Sequence, residues 1–291
     1  MKIGVSSYSF SGLVRAGGMS QLDIVRETAN MGFDAIEFSV FALPAGETPL
    51  TFAPKVRDEC ENCGLPIVSY TIGADFLTGS GGNWEKEAER LQDEVRAAKI
   101  LGAPCMRHDV TRGFAAARKR ARSWNDALPI LISACRAVTD FAADLGVKTM
   151  VENHGFFCQE SERIEQLING VNRENFGALV DIGNFLCADE DPALAVARVA
   201  PYAFHVHAKD FHVKPGSADN PGAGWFQSRA GNYLRGAIIG HGNVPVKQCL
   251  RLLKQAGYDG VCSVEFEGME DPRLGIAKGL ENLRRYVGEL A

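Results

Sequence analysis

Residues 143–152, ADLGVKTMVE, contain the unit from which this chain is built. The segment from Trp124 to Leu145 has the apolar spacing of a helix, and the run from Val147 to Glu152 is short, apolar and β-branched. Gly146 lies between them, and glycine commonly ends a helix because it adopts the left-handed conformation without steric cost. The stretch therefore predicts a helix, its C-cap and a strand in direct succession, with a carboxylate at the end of the strand.

The same unit recurs along the whole chain. Eight apolar runs predict strands, at Lys2 to Tyr8, Phe33 to Phe38, Pro66 to Thr71, Ala103 to His108, Val147 to Glu152, Phe176 to Asp181, Tyr202 to His207 and Gly260 to Glu265. Segments with helical spacing separate them, among them Ser20 to Met31, Ala53 to Cys63, Trp84 to Leu101, Trp124 to Leu145, Pro192 to Val199, Val244 to Ala256 and Pro272 to Val287. Glycine is predicted to end several of these helices, at Gly32, Gly64, Gly102, Gly146 and Gly257.

Eight alternations of strand and helix predict an α/β fold, the (β/α)₈ TIM barrel, as a single domain over residues 1–291. An open doubly wound sheet is the alternative, but no GxGxxG motif follows the first strand and no linker-like stretch divides the chain. One long segment, at about 210–243, is rich in Gly, Asn, Pro and aromatic residues and is predicted to be an irregular functional loop.

Composition excludes several classes of function. The chain has 31 Lys and Arg against 36 Asp and Glu, and this acidic balance argues against a nucleic-acid partner. The basic run from Arg118 to Arg122 is interpreted as a solvated face. No apolar run reaches the length of about 18 residues that crosses a bilayer, so no membrane association is expected. No export signal is visible and the eight cysteines are interpreted as reduced thiols, which predicts a cytoplasmic protein.

Reactive groups in an α/β barrel lie at the carboxyl ends of the strands. The last four predicted strands end in Glu152, Asp181, His207 and Glu265, all of which are metal-ligand residue types. Because the strand ends meet at one rim, these four side chains are expected to converge. Three carboxylates and one imidazole suit a hard or borderline divalent ion such as Mn²⁺, Mg²⁺ or Co²⁺.

The segments around these residues resemble motifs of the xylose isomerase-like TIM-barrel superfamily. They are Glu152-Asn153-His154, Asp181-Ile182-Gly183-Asn184, His205 to Asp210, Ile239 to Pro245 and Val264 to Gly268. That superfamily includes sugar isomerases and epimerases, inosose dehydratases and the endonuclease IV repair enzymes. The resemblance implies that Glu152, Asp181, His207 and Glu265 bind one divalent metal, most commonly Mn²⁺, with Mg²⁺, Co²⁺ or Zn²⁺ as alternatives. It also implies that Glu152 and Glu265 are catalytic and flank the reacting carbon.

The chain departs from one branch of the superfamily at Asn184. Ketose 3-epimerases carry a histidine there, and an amide cannot transfer a proton at neutral pH as an imidazole can. Endonuclease IV fits less well, because its multi-zinc site needs many histidines and this chain has six in an acidic background.

The resemblance implies a divalent-metal-dependent sugar isomerase or epimerase that removes a proton α to a carbonyl of a keto-sugar or polyol derivative. The alternative is a metal-dependent lyase or dehydratase that acts by β-elimination on a keto-sugar, keto-inositol or 3-keto-glycoside, with His108 or His154 as the acid. A non-catalytic sugar-binding barrel would not need four convergent metal ligands, and an oxidoreductase would need a dinucleotide motif. The expected partner is a small carbohydrate, and a homo-oligomer is left open.

The remaining candidates are predicted to contact the substrate. They are His108, Tyr8 and Glu37 on early strands, His154, Asn184, Lys209 and Asp210 beyond the metal-ligand strands, and Trp225, Arg229 and Arg235 on the 210–243 segment. Other interpretations stay open for some of them. Glu37 can instead pair with a basic neighbour, Tyr8 and His154 can support the ligands, and the 210–243 residues can pack against another subunit.

Overall fold

The computed structural model describes residues 1–115 and 123–290. The basic run from Arg118 to Arg122 lies outside the described residues. In chain order the strands are β1 Lys2–Ser6, β2 Ala35–Phe38, β3 Ile67–Ile72, β4 Cys105–His108, β5 Lys148–Glu152, β6 Phe176–Asp181, β7 Ala203–Ala208, β8 Asp210–Lys214, β9 Phe226–Gln227, β10 Tyr233–Ala237 and β11 Val261–Val264.

Eight of these strands close into a parallel barrel in the order β1-β11-β7-β6-β5-β4-β3-β2. The predicted (β/α)₈ TIM barrel is thereby confirmed, with all eight predicted strands in place. The boundaries differ by at most two residues, and the first strand ends at Ser6 because Ser7–Phe10 forms a 3₁₀ turn.

The helices are α1 Ser11–Arg15, α2 Gln21–Met31, α3 Pro49–Asn62, α4 Trp84–Leu101, α5 Trp124–Asp144, α6 Ser161–Val171, α7 Pro192–Val199, α8 Val246–Gln255 and α9 Pro272–Gly288. All seven helices named from the sequence are present, and α6 covers the barrel between β5 and β6. The five predicted C-cap glycines have positive φ. No helix within residues 1–115 and 123–290 is long and apolar enough to cross a bilayer.

Local sequence explains where several helices begin. The Ser20 hydroxyl accepts a hydrogen bond from the Asp23 amide while the Asp23 carboxylate accepts from the Ser20 amide, a capping box at the start of α2. Both α7 and α9 begin at proline after an aspartate whose side chain accepts from a backbone amide in the first turn. Proline suits this position because its missing amide hydrogen would have no partner in the helix.

Alternation along the strands separates the main core from the barrel interior. Val151, Val180 and Val206 point outward and pack with the helices in the large hydrophobic core. Inward-facing Met150 and Leu179 form a separate small cluster inside the barrel. The next inward positions toward the carboxyl end are polar, so the barrel interior is apolar below and polar at the rim.

The 210–243 segment is not irregular, which corrects the sequence prediction. It contains a three-stranded antiparallel sheet of order β8-β10-β9. The apolar residues of β8 and β10, including buried Phe211 and Leu234, give the sheet a small hydrophobic cluster of its own with Cys187. The Gly, Asn and Pro residues that suggested irregular structure lie mostly in the turns between these strands.

Candidate metal centre and substrate cavity

The structure brings Glu152, Asp181, His207 and Glu265 together at the carboxyl rim of the barrel. One ligand atom from each lies within 4.8 Å of the corresponding atoms of the others, and all four residues are buried. Strand register explains the convergence, because Asp181 pairs with His207 across β6 and β7, and His207 pairs with Ser263, two residues before Glu265. The four strand ends predicted from the sequence thus form one cluster.

The chemistry of this cluster fits a divalent cation. Among the described residues, Oδ2 of Asp181 and Nδ1 of His207 are buried and make no hydrogen bond, although Oδ2 lies 3.3 Å from Nζ of Lys209. Nδ1 of His207 lies 3.5 Å from Glu265, 3.8 Å from Glu152 and 3.9 Å from Asp181. Burial raises the pKa of Asp181 to about 7, although the Lys209 ammonium opposes this shift. A buried polar atom without a partner is costly, and a cation at the centre of the four side chains would remove that cost.

Glu37, His205 and Ser6 form a second layer of polar side chains, deeper in the barrel, that contacts His207 through Glu37. Oε2 of Glu37 lies 2.6 Å from Nε2 of His207 and 2.8 Å from Nε2 of His205, and Oε1 accepts from the Ser6 hydroxyl. Glu37 is 0% exposed. Burial opposes its ionisation, but the two histidines hold the pKa of Glu37 well below its ordinary value. Of the two interpretations of Glu37, the geometry matches pairing with a basic neighbour, because the side chain is enclosed below the rim.

A cavity of about 450 Å³ opens above this cluster. We call it the substrate cavity. Of the four clustered side chains, the two glutamates line it, while Asp181 and His207 lie beneath. Its other charged and polar lining residues include Asp109, Glu267, Arg107, Arg112, Lys209, His154 and Tyr8. A cavity with this many paired donors and acceptors suits a small hydroxylated ligand.

Each glutamate of the cluster has its own cationic partner. Nη2 of Arg107 contacts Glu152 and lies 2.9 Å from Asp109. Nζ of Lys209 lies 2.6 Å from Glu265 and 3.1 Å from Glu267. Burial would raise the pKa of Glu265, but the Lys209 and His207 charges hold it well below its ordinary value. Both carboxylates are thereby kept oriented toward the cavity.

Asn184 hydrogen-bonds to Glu152 and to Lys209, the cationic partner of Glu265. Its side-chain amide donates to Oε1 of Glu152 at 3.0 Å and its carbonyl oxygen accepts from Lys209 at 3.3 Å. His154 lines the cavity with Nδ1 2.9 Å from Asp109. Tyr8 lies in the 3₁₀ turn after β1 and also lines the cavity, so Tyr8, His154 and Lys209 all line it.

His108 is not a substrate contact, which corrects the sequence prediction. Its ring is fully buried outside the barrel interior, between Phe76 and Phe176, and burial lowers its pKa to about 4. Successive side chains of a strand point to opposite faces, and in β4 the inward-facing residue at the rim is Arg107.

Asp210 is also turned away from the cavity. Its carboxylate accepts hydrogen bonds from the backbone amides of Phe211, Gly240, Gly242 and Val244. It therefore anchors the glycine-rich segment before α8, and it does not line the substrate cavity as expected from the sequence.

The three candidates of the 210–243 segment do not line the substrate cavity. Trp225 packs under the guanidinium of Arg235, which also pairs with Glu270. Arg229 contacts the Glu160 carboxylate and donates to the Phe156 carbonyl. The ion pairs of Arg229 and Arg235 attach the segment to the rim. Their charged groups therefore already have protein partners.

Arg107, Asp109 and Glu267 were not predicted as site residues. Strand alternation could have found all three, since Arg107 and Asp109 share the inward parity of β4 and Glu267 has the same parity as Glu265. Asp109 lies just past β4, and its carboxylate is held by Arg107.

Comparison with known proteins agrees with this architecture. Residues 25–286 match the family model described as xylose isomerase-like TIM barrel. The chain belongs to this family. Members of the xylose isomerase-like family include isomerases, epimerases and a dehydratase. An uncharacterized protein of Methanocaldococcus jannaschii is 28% identical over 157 residues, which are 52% of this chain and 46% of that relative, so the match spans about half of its length.

Solved structures of the family share the whole barrel. A xylose isomerase-like TIM barrel protein from Mycobacterium smegmatis, in complex with magnesium, has a TM-score of 0.72 at 18% identity, over 100% of this chain and 98% of that one. The D-allulose 3-epimerase from Methylomonas sp. has a TM-score of 0.73 at 17% identity, over 98% of both chains. A probable 3-DHS dehydratase from Bacillus anthracis has a TM-score of 0.72 at 18% identity, over 98% and 99%. At these identities the likeness shows the shared fold.

Proposed function

We propose that this protein is a divalent-metal-dependent isomerase or epimerase that removes a proton α to a carbonyl of a keto-sugar or polyol derivative. The observation that carries the proposal is the pair Glu152 and Glu265, which belong to the buried four-residue cluster and also face the substrate cavity. A pair of carboxylates at the reacting carbon can remove a proton and return one. Membership of the xylose isomerase-like family supports this reaction class.

Glu152, Asp181, His207 and Glu265 would hold the ion, and we propose Mn²⁺ because the donor set is three carboxylate oxygens and one imidazole nitrogen. When bound, the ion supplies polarisation of a carbonyl and a neighbouring hydroxyl oxygen of the substrate, which makes the α-proton more acidic.

The chain's own groups supply the proton transfers. Glu152 ends β5 and Glu265 follows β11, and β6 and β7 lie between these strands in the barrel, so the two carboxylates reach a substrate from different sides. One carboxylate removes the α-proton, and return of a proton from the other side inverts that carbon. Arg107 and Lys209 keep the two carboxylates oriented, while Asp109 and His154 are placed to hydrogen-bond substrate hydroxyls.

A lyase or dehydratase is the second candidate, because the cavity contains acids suited to a leaving oxygen. The same carboxylates would remove the α-proton, and expulsion of a β-substituent is helped by an acid that gives its proton to the leaving oxygen. His154 and the Lys209 ammonium both line the cavity. Of the two histidines considered as the acid from the sequence, His154 is the one that lines the cavity.

An isotope experiment separates the two reactions. We expect protein that has been stripped by chelator and reloaded with Mn²⁺ to incorporate deuterium at the α-carbon of a keto-sugar or inosose in D₂O, followed by NMR. Incorporation without loss of mass supports the isomerase or epimerase, and release of water or of an aglycone supports the lyase. Equal incorporation by the stripped and reloaded protein would contradict the metal-dependent proposal.

Replacing Glu37 by glutamine is expected to weaken Mn²⁺ binding about 10- to 100-fold, which is typical of losing a carboxylate behind a ligand histidine. The substitution keeps the shape of the side chain but removes the charge that orients Nδ1 of His207 toward the carboxylates. Calorimetric titration of the stripped protein with Mn²⁺ measures the change. Ser6→Ala removes the hydrogen bond to Oε1 of Glu37, the oxygen that does not contact the histidines, and serves as the control, with a smaller expected effect. Unchanged affinity in the glutamine variant would contradict this role.

A further inference from the structure

The substrate cavity continues into a second chamber that the proposed reaction does not use. This chamber has a volume of about 280 Å³ and shares His154, Lys209 and Glu267 with the substrate cavity. Its far wall is aromatic, formed by Phe156, Phe211 and Phe226. We call it the aromatic chamber. A ligand that fills both would have a polar part beside the glutamates and a second part against the aromatic rings.

Phe156 is held in a backbone conformation that is unfavourable for its side chain. Its φ is +66°, in the left-handed region that bulky residues rarely adopt. Its amide donates to Oε1 of the buried Gln159, and its carbonyl accepts from Arg229. Gln159 is itself fixed, because its amide donates to the Asn184 carbonyl oxygen at 2.6 Å. The surroundings therefore impose this conformation, and such imposed strain is typical of ligand sites.

Burial of the Phe156 ring within the protein does not offset this strain, because the residue is 43% exposed. Phe226 is 39% exposed and comes from β9, on a different part of the chain. It packs edge-to-face on the buried Phe211 with ring centroids 5.7 Å apart. Two partly exposed rings, one of them packed on Phe211, therefore line one chamber that opens onto the substrate cavity, an arrangement suited to a ring-shaped ligand group.

We propose that the aromatic chamber binds the ring-shaped aglycone of a glycoside, so that the substrate has two rings and its reacting sugar lies beside Glu152 and Glu265. This inference rests on the proposed function for the placement of the reacting sugar. The flat apolar face of an aryl group or of a second sugar packs against aromatic rings, while the hydroxyls of the reacting sugar meet the polar groups shared by the two chambers. A free monosaccharide would leave the aromatic chamber in contact with water only.

Matched glycosides test the proposal directly. We would titrate the Mn²⁺-loaded protein by calorimetry with a panel of hexoses, each as its methyl glycoside, its phenyl glycoside and its glucosyl disaccharide. The phenyl or glucosyl member is expected to bind about tenfold more tightly than the methyl member for at least one hexose, which is the effect of one well-packed ring. A preference for phenyl over glucosyl indicates an aryl aglycone, and the reverse preference indicates a second sugar.

Three variants complete the test. Phe156→Gly removes the ring and also suits the positive φ, so the fold is expected to be at least as stable while the ring preference falls to about onefold. Phe226→Ala is expected to reduce the preference similarly. Leu194→Ala removes an exposed apolar side chain from α7, away from both chambers, and is expected to leave the preference unchanged.

The outcomes separate this inference from the proposed reaction. Equal binding of methyl and ring-bearing glycosides, no binding of any glycoside, or a ring preference that survives both phenylalanine substitutions would overturn the aglycone chamber. Deuterium exchange into keto-sugars by the wild-type protein tests the proposed reaction separately. Exchange without any ring preference overturns the chamber alone, and a ring preference without exchange overturns the reaction alone.

Discussion

Glutamine in place of Glu152 or of Glu265 is expected to reduce turnover by about 10²- to 10⁴-fold, the usual contribution of a positioned general base. Glutamine has nearly the same shape as glutamate but cannot accept a proton at neutral pH. Each substitution also removes one negative ligand from the four-residue cluster, which adds to the loss. Steady-state turnover measures the loss of product formation, and deuterium exchange at the α-carbon measures the loss of proton removal. Both are measured on the same protein at saturating Mn²⁺.

The two variants are also expected to differ from each other. The variant that lacks the abstracting carboxylate should lose exchange at the α-carbon, while the variant that lacks the returning carboxylate should still exchange deuterium without forming product. Glu94→Gln is a matched control, because Glu94 also accepts a hydrogen bond, from Tyr70, but lies outside the cavity. Wild-type turnover in both cavity variants, with a true substrate in hand, would contradict the assignment of Glu152 and Glu265 as the proton-transfer groups.

The barrel could be predicted from the sequence because its determinants are local. A strand such as Phe176 to Asp181 is apolar at every position except the last, as buried parallel strands are, and a glycine such as Gly146 ends the helix before a strand. The sheet formed by β8, β9 and β10 was not predicted, since its strands are short and lie among turn residues. Its pairing depends on contacts between segments as far apart as Phe211 and Gly236, which local patterns do not reveal.

The candidate ligands could be predicted for the same reason, since a parallel barrel collects the ends of its strands at one rim. The residues around these ligands could not be predicted from the strand ends alone. His108 and Arg107 are adjacent in the chain, and their opposite orientations follow from the parity of β4, which the position of the strand end does not indicate. Asp210 carries an equally suitable carboxylate, but the loop that turns back over it, through Gly240 and Gly242, supplies its partners.

Mn²⁺ is expected to stabilise the wild-type protein by about 2.7 kcal/mol when its concentration is one hundred times the dissociation constant, because the ion binds the folded cluster preferentially. Asp181→Asn is expected to remove most of this stabilisation. The substitution keeps the side-chain shape but removes the negative charge of Asp181, whose buried Oδ2 accepts no hydrogen bond from the described residues. Thermal unfolding with and without Mn²⁺, together with the metal content after dialysis, measures the loss.

Adding His207→Ala to Asp181→Asn is expected to abolish metal binding and also to destabilise the metal-free protein, so its unfolding must be compared with that of the single variant. Removing the imidazole leaves the fully buried Glu37 with His205 as its remaining histidine partner. Losing one partner of a buried charged pair costs about 3–5 kcal/mol, and His205 should recover part of that loss. Asp259→Asn is the control, because Asp259 is an exposed carboxylate paired with the N-terminus. This variant should keep both the metal content and the stabilisation by Mn²⁺ of the wild-type protein. If the double variant retained metal and were still stabilised by Mn²⁺, the ion would have to bind elsewhere, and the lack of a hydrogen bond at Oδ2 of Asp181 and Nδ1 of His207 would need another explanation.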